Sequence, residues 1–509
     1  MEVYNLHFAF KAPYHTILNN IIPYFVRIKK YIMRNSLLIE KAYLNGSFIS
    51  SDKTFDIINP STLKAIGSLP DLTVKDCKKV IDAAHKAWEL WKTTPVGERS
   101  KILRNLYNLI NQYKNELAEI MTLESGKPIK ESLTEVEYAN SFIDWFAEEG
   151  KRAYGETIPS LLGNTRMQTI KQGVGVVAAI TPWNFPLAMI TRKVGPALVA
   201  GCTVILKPAS QTPFSAIALA KLADEAGVPK GVFNVITSKD SKGIGKELAT
   251  NEKIRKISFT GSTAVGRTLM EQAASTIKRV SLELGGNAPF IVFEDANIDK
   301  AVEGAIAGKF RNTGQTCVSI NRFYVQDSVY DQFTKKLTAA VKKLIVSDGL
   351  KKNSQVGPLI NADGLKKVEE HVKDAVSRGA KIETGGKAMK DLFYEPTVIS
   401  NIPTDSIIAN EETFGPVCAL FKFTTEEEVI KLANNTPFGL ASYFYSQDVN
   451  QCFRVSEHLE AGMVGVNSGL ISNASAPFGG IKQSGLGREG SKYGLDEYME
   501  IKYVCFGGN

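Results

Sequence analysis

From residue 174 to 284, short apolar runs alternate with helix-length segments, and this alternation constrains the chain more than any other feature. The runs are VGVVAAI (174–180), TVIL (203–206), VFNVI (232–236), IRKISFT (254–260) and RVSLEL (279–284). Helical spacing falls between them, near 187–200, 213–226, 241–249 and 263–274. Strands apolar on both faces and joined by helices predict a parallel, doubly wound sheet. Ligands bind such sheets outside the carboxyl ends of the strands. The segments there are TPWNFP, KPAS, TGSTAVG and GGN. A second α/β block follows FIVF (290–293), with helices near 296–310, 328–345, 362–379, 425–434 and 449–460 and strands near 321–326, 394–399 and 441–446.

Upstream, residues 41–60 alternate apolar and polar around Asn45-Gly46, a hairpin signature. Thr73 with Asp76 forms a capping-box pattern that opens a helix. Apolar residues from Leu103 to Met121 recur at three and four, predicting one helix over about 98–124 that Gly126 and Pro128 end. The first 32 residues differ from the rest, with four Lys/Arg, one acid and no Ser. They read either as an organelle-targeting leader or as the product of an upstream start codon, with Met33 the first residue of the protein proper.

At 509 residues the chain is long enough for two or three domains with their own cores. The formal charge is +8, of which the first 32 residues supply +3, so the remaining excess is mild and scattered. No basic stripe with interleaved aromatics is present, which argues against a nucleic-acid partner. Six cysteines stand far apart with no C-x-x-C, which reads as free thiols in a reducing compartment, the cytoplasm. The five histidines show no metal-ligand spacing. No stretch reaches the length of a membrane-spanning helix, so neither a metal nor a membrane is expected.

Two glycine motifs bear on a cofactor. Gly173 to Ala178 matches G-x-G-x-x-A but lies inside a strand-like run, where it cannot present amides to a pyrophosphate. Gly261 to Gly266 (GSTAVG) has the wrong spacing but follows a strand and opens a helix; its amides either face a phosphate or make a plain turn. Two residues bear on chemistry. Cys317 follows the small polar run RNTGQT, and Glu283 ends an apolar strand. A lone cysteine is most often a small core residue. A buried acid is rare unless it is paired or functional.

With those residues in view, the sequence resembles the aldehyde dehydrogenase superfamily over nearly its whole length from about residue 36. The segments that carry the resemblance are TPWNFP (181–186), LKPAS (206–210), FTGSTAVG (259–266), LELGGNAP (282–289), GQTC (314–317), EETFGP (411–416) and PFGGIKQSG (477–485). Within the superfamily, ITRKVGPALVAGC (190–202) and SGLGREGSKYGLDEYMEIKYVCFG (484–507) are similar to the branch that oxidises succinate semialdehyde, a step in 4-aminobutyrate breakdown. Glutarate semialdehyde or another small aldehyde is the alternative substrate.

The resemblance implies that Cys317 is the nucleophile and that its thiolate attacks the aldehyde carbon. It implies that the Asn184 amide and the Cys317 backbone N–H hold the oxyanion, and that Glu283 activates water against the thioester. An acid at 283 implies release of a free carboxylic acid rather than transfer to coenzyme A. For the cofactor, NADP or NAD, it implies Thr181, Pro182 and Trp183 beside Lys207 and Ser210. Gly261, Ser262, Gly266 and Leu284 would lie along the pyrophosphate, with Glu412 and Phe414 at the nicotinamide ribose. Ser210, small and neutral, leaves room for a 2′-phosphate, so NADP is expected to be accepted. For the substrate it implies Arg192, Arg311 and Ser472 around the carboxylate. Arg192 also reads as a salt-bridged helix residue beside Lys193. Many relatives carry a second cysteine two after the nucleophile; this chain has Ser319, so a disulfide switch there is not expected.

The resemblance further implies an aldehyde dehydrogenase-like α/β fold in three parts. A doubly wound dinucleotide-binding domain would span 34–157 and 175–288, and an α/β catalytic domain 289–470. Residues 158–174 and 493–507 would form an oligomerisation element, giving a homodimer or homotetramer. Two rival readings remain. A cysteine hydrolase needs a histidine near Cys317, but His85, His371 and His458 sit in charged helical surroundings. A non-catalytic binding protein built on an enzyme fold would lack Cys317, Glu283 or Asn184, and all three are present.

Overall fold

A computed structural model of the protein describes residues 35–161 and 163–507. The expectations for residues 1–33 therefore lie outside the described residues. The five apolar runs form the centre of an eight-stranded sheet. In spatial order its strands are Ser47–Ile49, Ala42–Leu44, Phe233–Val235, Thr203–Lys207, Val176–Ile180, Ile254–Thr260, Arg279–Glu283 and Gly485–Leu486. The middle five pair in parallel, and the two flanking contacts are antiparallel. The order steps outward in both directions from Val176–Ile180, as in a doubly wound sheet, and the crevice opens at the carboxyl ends of the central strands. Each position of Thr203–Lys207 is buried, because helices cover both faces.

Local signals act as read. Asn45 and Gly46 take φ of 49° and 72°, the turn that joins Ala42–Leu44 to Ser47–Ile49. Thr73 and Asp76 exchange both hydrogen bonds of a capping box at the start of helix Val74–Trp91, a contribution of about 1 kcal/mol. The segment 173–178 spans the junction of strands Thr165–Gly173 and Val176–Ile180 and opens no helix. Ser262, in contrast, caps helix Thr263–Ala274.

The single helix expected over 98–124 is two, Val96–Gln112 and Lys114–Ser125, broken where Tyr113 leaves the helical region at φ −99°, ψ 23°. The apolar spacing continues through the break because both pieces bury one stripe against helix Ile129–Glu149.

A second, seven-stranded sheet runs Lys381–Thr384, Thr397–Ser400, Val417–Phe423, Ile320–Gln326, Ala288–Val292, Ala441–Tyr445 and Met463–Val466. All contacts are parallel except the first. A third, antiparallel sheet joins Thr157–Ile158 and Thr165–Gly173 to Met499–Gly507, pairing residues more than 300 positions apart. No helix among the described residues is long and apolar enough to cross a membrane. Among the same residues no group of three or more His, Cys, Asp or Glu is placed to hold a metal ion.

Candidate active site

The chain reverses sharply just before Cys317. Asn312, Thr313 and Gly314 take φ of 51°, 60° and 75°, three consecutive left-handed residues of which two are not glycine. Such residues cost roughly 1–3 kcal/mol each and persist only where neighbours fix them. The neighbours are present. The Asn312 amide nitrogen donates to Glu131 at 2.7 Å, and its side chain donates to Asn184 O at 2.9 Å and to Gln315 O at 3.1 Å. Thr313 Oγ1 donates to Gly357 O at 3.1 Å. Gln315 donates to Asn312 O at 3.1 Å and accepts from Ile360 N at 2.9 Å. Cys317 is left half-buried at the end of this reversal, with its carbonyl packed against Gly286.

Asn184, in the loop after strand Val176–Ile180, is held as firmly. Its carbonyl accepts from Lys127 Nζ at 2.6 Å, and its side-chain oxygen accepts from Phe185 N at 3.1 Å. One N–H of its amide goes to Gln315 O at 3.1 Å, which ties Asn184 to the loop that carries the nucleophile. A primary amide has two such protons, so a second remains for an oxyanion. Lys127 is itself buried in an ion pair with Glu135, whose other oxygen caps helix Ala188–Val199 by accepting from Leu187 N at 3.0 Å.

Glu283 ends strand Arg279–Glu283 with only 3% exposure. Its Oε2 has no hydrogen-bond partner among the described residues. A Cβ on Gly479 would come within 2.8 Å of Oε1, so the PFGG segment needs glycine there to let the carboxyl in. Burial, then the nearby Glu489 charge, holds the Glu283 carboxyl well above the usual carboxylate range, against Arg192, Lys193 and Arg488. Burial likewise pushes the Cys317 thiol up to about 12, with Arg192 and Arg311 acting in the opposite sense. The carboxylates of Glu412 and Glu283 both act with burial to keep the Cys317 thiol protonated. Both groups therefore favour their protonated forms, and a base must take the thiol proton before the sulfur can attack.

Glu489, absent from the sequence reading, is the hub behind these groups. It is buried and ion-paired with both Arg192 and Lys193, and Lys193 also reaches Ser258 Oγ at 3.1 Å. Arg192 thus meets the salt-bridged reading of its sequence. It is 1% exposed, lies 4.2 Å over the Phe478 ring, and is not among the residues that line the adjoining cavity. Arg311 and Ser472 do line that cavity, of about 640 Å³, with Tyr138, Phe185, Phe310 and Leu470. The Arg311 guanidinium lies 5.1 Å over the Phe185 ring.

The residues expected at the cofactor gather at the carboxyl ends of the first sheet. The Lys207 ammonium is buried with one hydrogen bond among the described residues, to Pro208 O at 3.3 Å, and desolvation lowers its pKa to about 8. Thr181 N donates to Lys207 O at 3.2 Å, while its buried hydroxyl has no partner among the described residues. Ser210 is half-buried beside Gln211. Ser262 is exposed at the N-terminus of helix Thr263–Ala274, and Gly261 N donates to Glu283 O at 3.0 Å. Any Cβ on Gly266 would strike Leu284 at 2.4 Å, so the helix packs closely only because that residue is glycine.

Pro182 and Trp183 are half-buried, and the Trp183 ring meets Phe414 edge-to-face at 5.6 Å. Phe414 itself takes φ of 56°. Glu412 has one backbone donor, Gly286 N at 3.4 Å, and burial pushes its carboxyl up to about 7. A buried cation and a half-buried acid with so few partners, an exposed capped helix start and close-packed glycines suit a dinucleotide with a ribose at each end and a pyrophosphate between.

Residues 48–504 match the aldehyde dehydrogenase family, and the chain belongs to that family. Over 477 residues, 93% of this chain and 99% of the relative, it is 55% identical to succinate-semialdehyde dehydrogenase [NADP(+)] GabD of Escherichia coli (strain K12). It is also 55% identical over 471 residues to a glutarate-semialdehyde dehydrogenase of Pseudomonas putida, covering 92% of this chain and 98% of that one. Among solved structures, a succinate-semialdehyde dehydrogenase from Burkholderia pseudomallei superposes with a TM-score of 0.92 at 54% identity, over 93% of this chain and 99% of that one. The α/β fold and NAD(P)-dependent aldehyde oxidation are those of the family.

Proposed function

We propose that the chain oxidises succinate semialdehyde to succinate through a Cys317 thioester, with NADP or NAD. The observation that carries the substrate is the position of Arg311: it lines the cavity and also acts on the Cys317 thiol. A carboxylate held there would present the far end of a short chain to the sulfur. The E. coli and B. pseudomallei relatives carry the same activity in their names.

In the first half-reaction the Cys317 thiol gives its proton to water, the sulfur bonds to the aldehyde carbon and the carbonyl π pair moves to oxygen. The second N–H of the Asn184 amide and the Cys317 backbone N–H hold that oxyanion. NADP or NAD, when bound, would supply the acceptor for the hydride that leaves the carbon; the oxyanion pair re-forms the carbonyl and a thioester remains on Cys317. In the second, Glu283 takes a proton from water and the water oxygen bonds to the thioester carbon. The C–S bond breaks, the sulfur leaves as thiolate, and a carboxylic acid is released. Glu283 must be ionised for this step, so its raised pKa makes hydrolysis faster as pH rises.

Within this reading Lys207 and Glu412 hold the two riboses, the start of helix Thr263–Ala274 holds the pyrophosphate, and Ser210 leaves space for a 2′-phosphate. The first sheet, with residues 34–157 and 175–288, forms the dinucleotide-binding domain, and the second sheet the catalytic domain over 289–470. The strand Met499–Gly507 is the edge of the third sheet, and Ile501, Tyr503 and Phe506 on it are 69%, 56% and 53% exposed. Such an edge favours pairing with a second copy, so 158–174 and 493–507 serve a homodimer or homotetramer. The six free thiols suit the cytoplasm, with an organelle as the alternative.

A glutarate-semialdehyde dehydrogenase is the second reading, since the P. putida relative of that name is as similar as the E. coli one. One methylene changes recognition by only about 1–3 kcal/mol. Reduction of NADP and NAD with succinate semialdehyde, glutarate semialdehyde, butanal and pentanal tests both. Preference for the four-carbon acid supports the first reading. Preference for the five-carbon acid supports the second, and equal rates on the uncharged aldehydes refute both.

A further inference from the structure

We propose that Tyr138 is a substrate-binding residue whose phenol O–H donates to the carboxylate of the semialdehyde, beside Arg311 and Ser472. This rests on the substrate reading above and adds a residue to it. Tyr138 stands midway along helix Ile129–Glu149, and its ring is fixed edge-to-face on Phe142 at 4.9 Å. It lines the same cavity as Arg311 and Ser472. Its hydroxyl is buried and makes no well-aligned hydrogen bond among the described residues, although Arg192, Arg311 and Ser472 all face it.

The identity of those neighbours decides which atom they can serve. A guanidinium only donates, so Arg192 and Arg311 can take lone pairs of the phenol oxygen but never its proton. Two of the three polar neighbours therefore orient the O–H away from themselves. Ser472 Oγ is the one of the three that can accept this proton, and because it and Tyr138 line the same cavity, a carboxylate entering there is a stronger acceptor competing for it. An anion there meets the phenol proton and the Arg311 guanidinium together. Burial raises the Tyr138 phenol above its ordinary value, so it keeps that proton throughout the working pH range.

The placement also gives Arg192 a role consistent with its burial. Its charge is offset by Glu489. Placed at the phenol oxygen, it makes the Tyr138 O–H a stronger donor. Recognition of the acid then has two layers, with Arg311, Ser472 and Tyr138 at the cavity and Arg192 behind Tyr138.

The test compares Tyr138→Phe with the full-length wild type on succinate semialdehyde and on butanal, which has the same chain length without the charge. The variant keeps the ring and its contact with Phe142. A hydrogen bond to a charged group is lost, so kcat/KM for the acid falls about 10- to 100-fold, chiefly through KM. Competitive inhibition by succinate weakens in parallel, and butanal changes by less than about 2-fold on the same reasoning. Tyr138→Met, a second apolar variant, carries the same expectation if Tyr138→Phe does not fold. An unchanged preference for the acid over butanal in a folded variant, or an equal loss on both substrates, overturns the inference. A wild type that does not prefer the acid would instead remove the substrate reading itself, so the two failures are told apart by the wild-type measurement.

Discussion

Replacing Asn184 by Ala removes the proposed side-chain donor of the oxyanion hole without touching the nucleophile. The asparagine amide makes two contacts: Nδ2 to Gln315 O at 3.1 Å and Oδ1 from Phe185 N at 3.1 Å. Gln315 O keeps a second donor, Asn312 Nδ2 at 3.1 Å, so it stays satisfied in the variant. Only Phe185 N loses its acceptor, a stability cost of about 1–3 kcal/mol that leaves the reversal at 312–314 intact. The catalytic cost is larger. One oxyanion donor contributes roughly 3–4 kcal/mol, so kcat/KM should fall about 100- to 1000-fold. Two assays separate this from a collapsed loop: steady-state oxidation of succinate semialdehyde, and the rate at which iodoacetamide alkylates Cys317. Oxidation should fall by the full factor while alkylation, which develops no oxyanion, stays near the wild-type rate. A loss under about 5-fold would contradict the assignment, as would alkylation that falls in step with oxidation.

Ser210→Glu should shift preference from NADP toward NAD, because a carboxylate would repel a 2′-phosphate and bond ribose hydroxyls; kcat/KM with each cofactor checks it, and an unchanged ratio would mean another side chain decides. Mild peroxide should produce no disulfide on Cys317, since Ser319 stands where a resolving thiol would be; peptide mass mapping that found Cys317 bridged to another cysteine would contradict this. Lys309 is fully buried, its Nζ has no partner among the described residues, and burial lowers its ammonium to about 8 from 10.5. Its folded-state pKa lies below the unfolded value, so the buried charge opposes folding below pH 8 and ceases to do so above pH 10.5. Lys309→Met should thus stabilise the enzyme at pH 7 by ~3 kcal/mol, with the gain fading between those limits. Denaturant titrations across pH test it, and a gain that does not vary with pH would show that packing rather than charge is responsible.

The alternation of strand and helix after residue 174 was legible because each strand of the first sheet is buried on both faces and reads as an unbroken apolar run. Ser262, Cys317 and Glu283 were legible because local motifs surround them. Other parts were not. The long helix Ile129–Glu149 buries Glu135 and Asn140 among its apolar residues, so its sequence lacks a clean stripe. Strand Val417–Phe423, inside the second sheet, carries no alternation of helix and strand to mark it, since only Pro416 and the four-residue helix Ile407–Asn410 precede it. Charged residues mislead most. Lys127, Lys193 and Glu489 look like surface charges in the sequence, yet each is at most 3% exposed. Glu489 reaches Arg192 and Lys193 only because the chain returns almost 300 residues later, a pairing no local pattern records. Tyr138 carries no motif; its meaning comes from the side chains that face it.

The division of roles between Cys317 and Glu283 is tested most directly by intact-protein mass after Glu283→Gln is mixed with succinate semialdehyde and NADP. The glutamine cannot accept a proton from water, while the thiol, the oxyanion donors and the cofactor site are unchanged. A single rapid burst of reduced cofactor should therefore appear, near one equivalent per active site, followed by a steady rate lowered by about 100- to 10,000-fold. The protein should gain the mass of the substrate less two hydrogens, on the peptide that contains Cys317. Turnover at the wild-type rate, or a burst with no adduct on Cys317, would contradict the assignment of nucleophile and base.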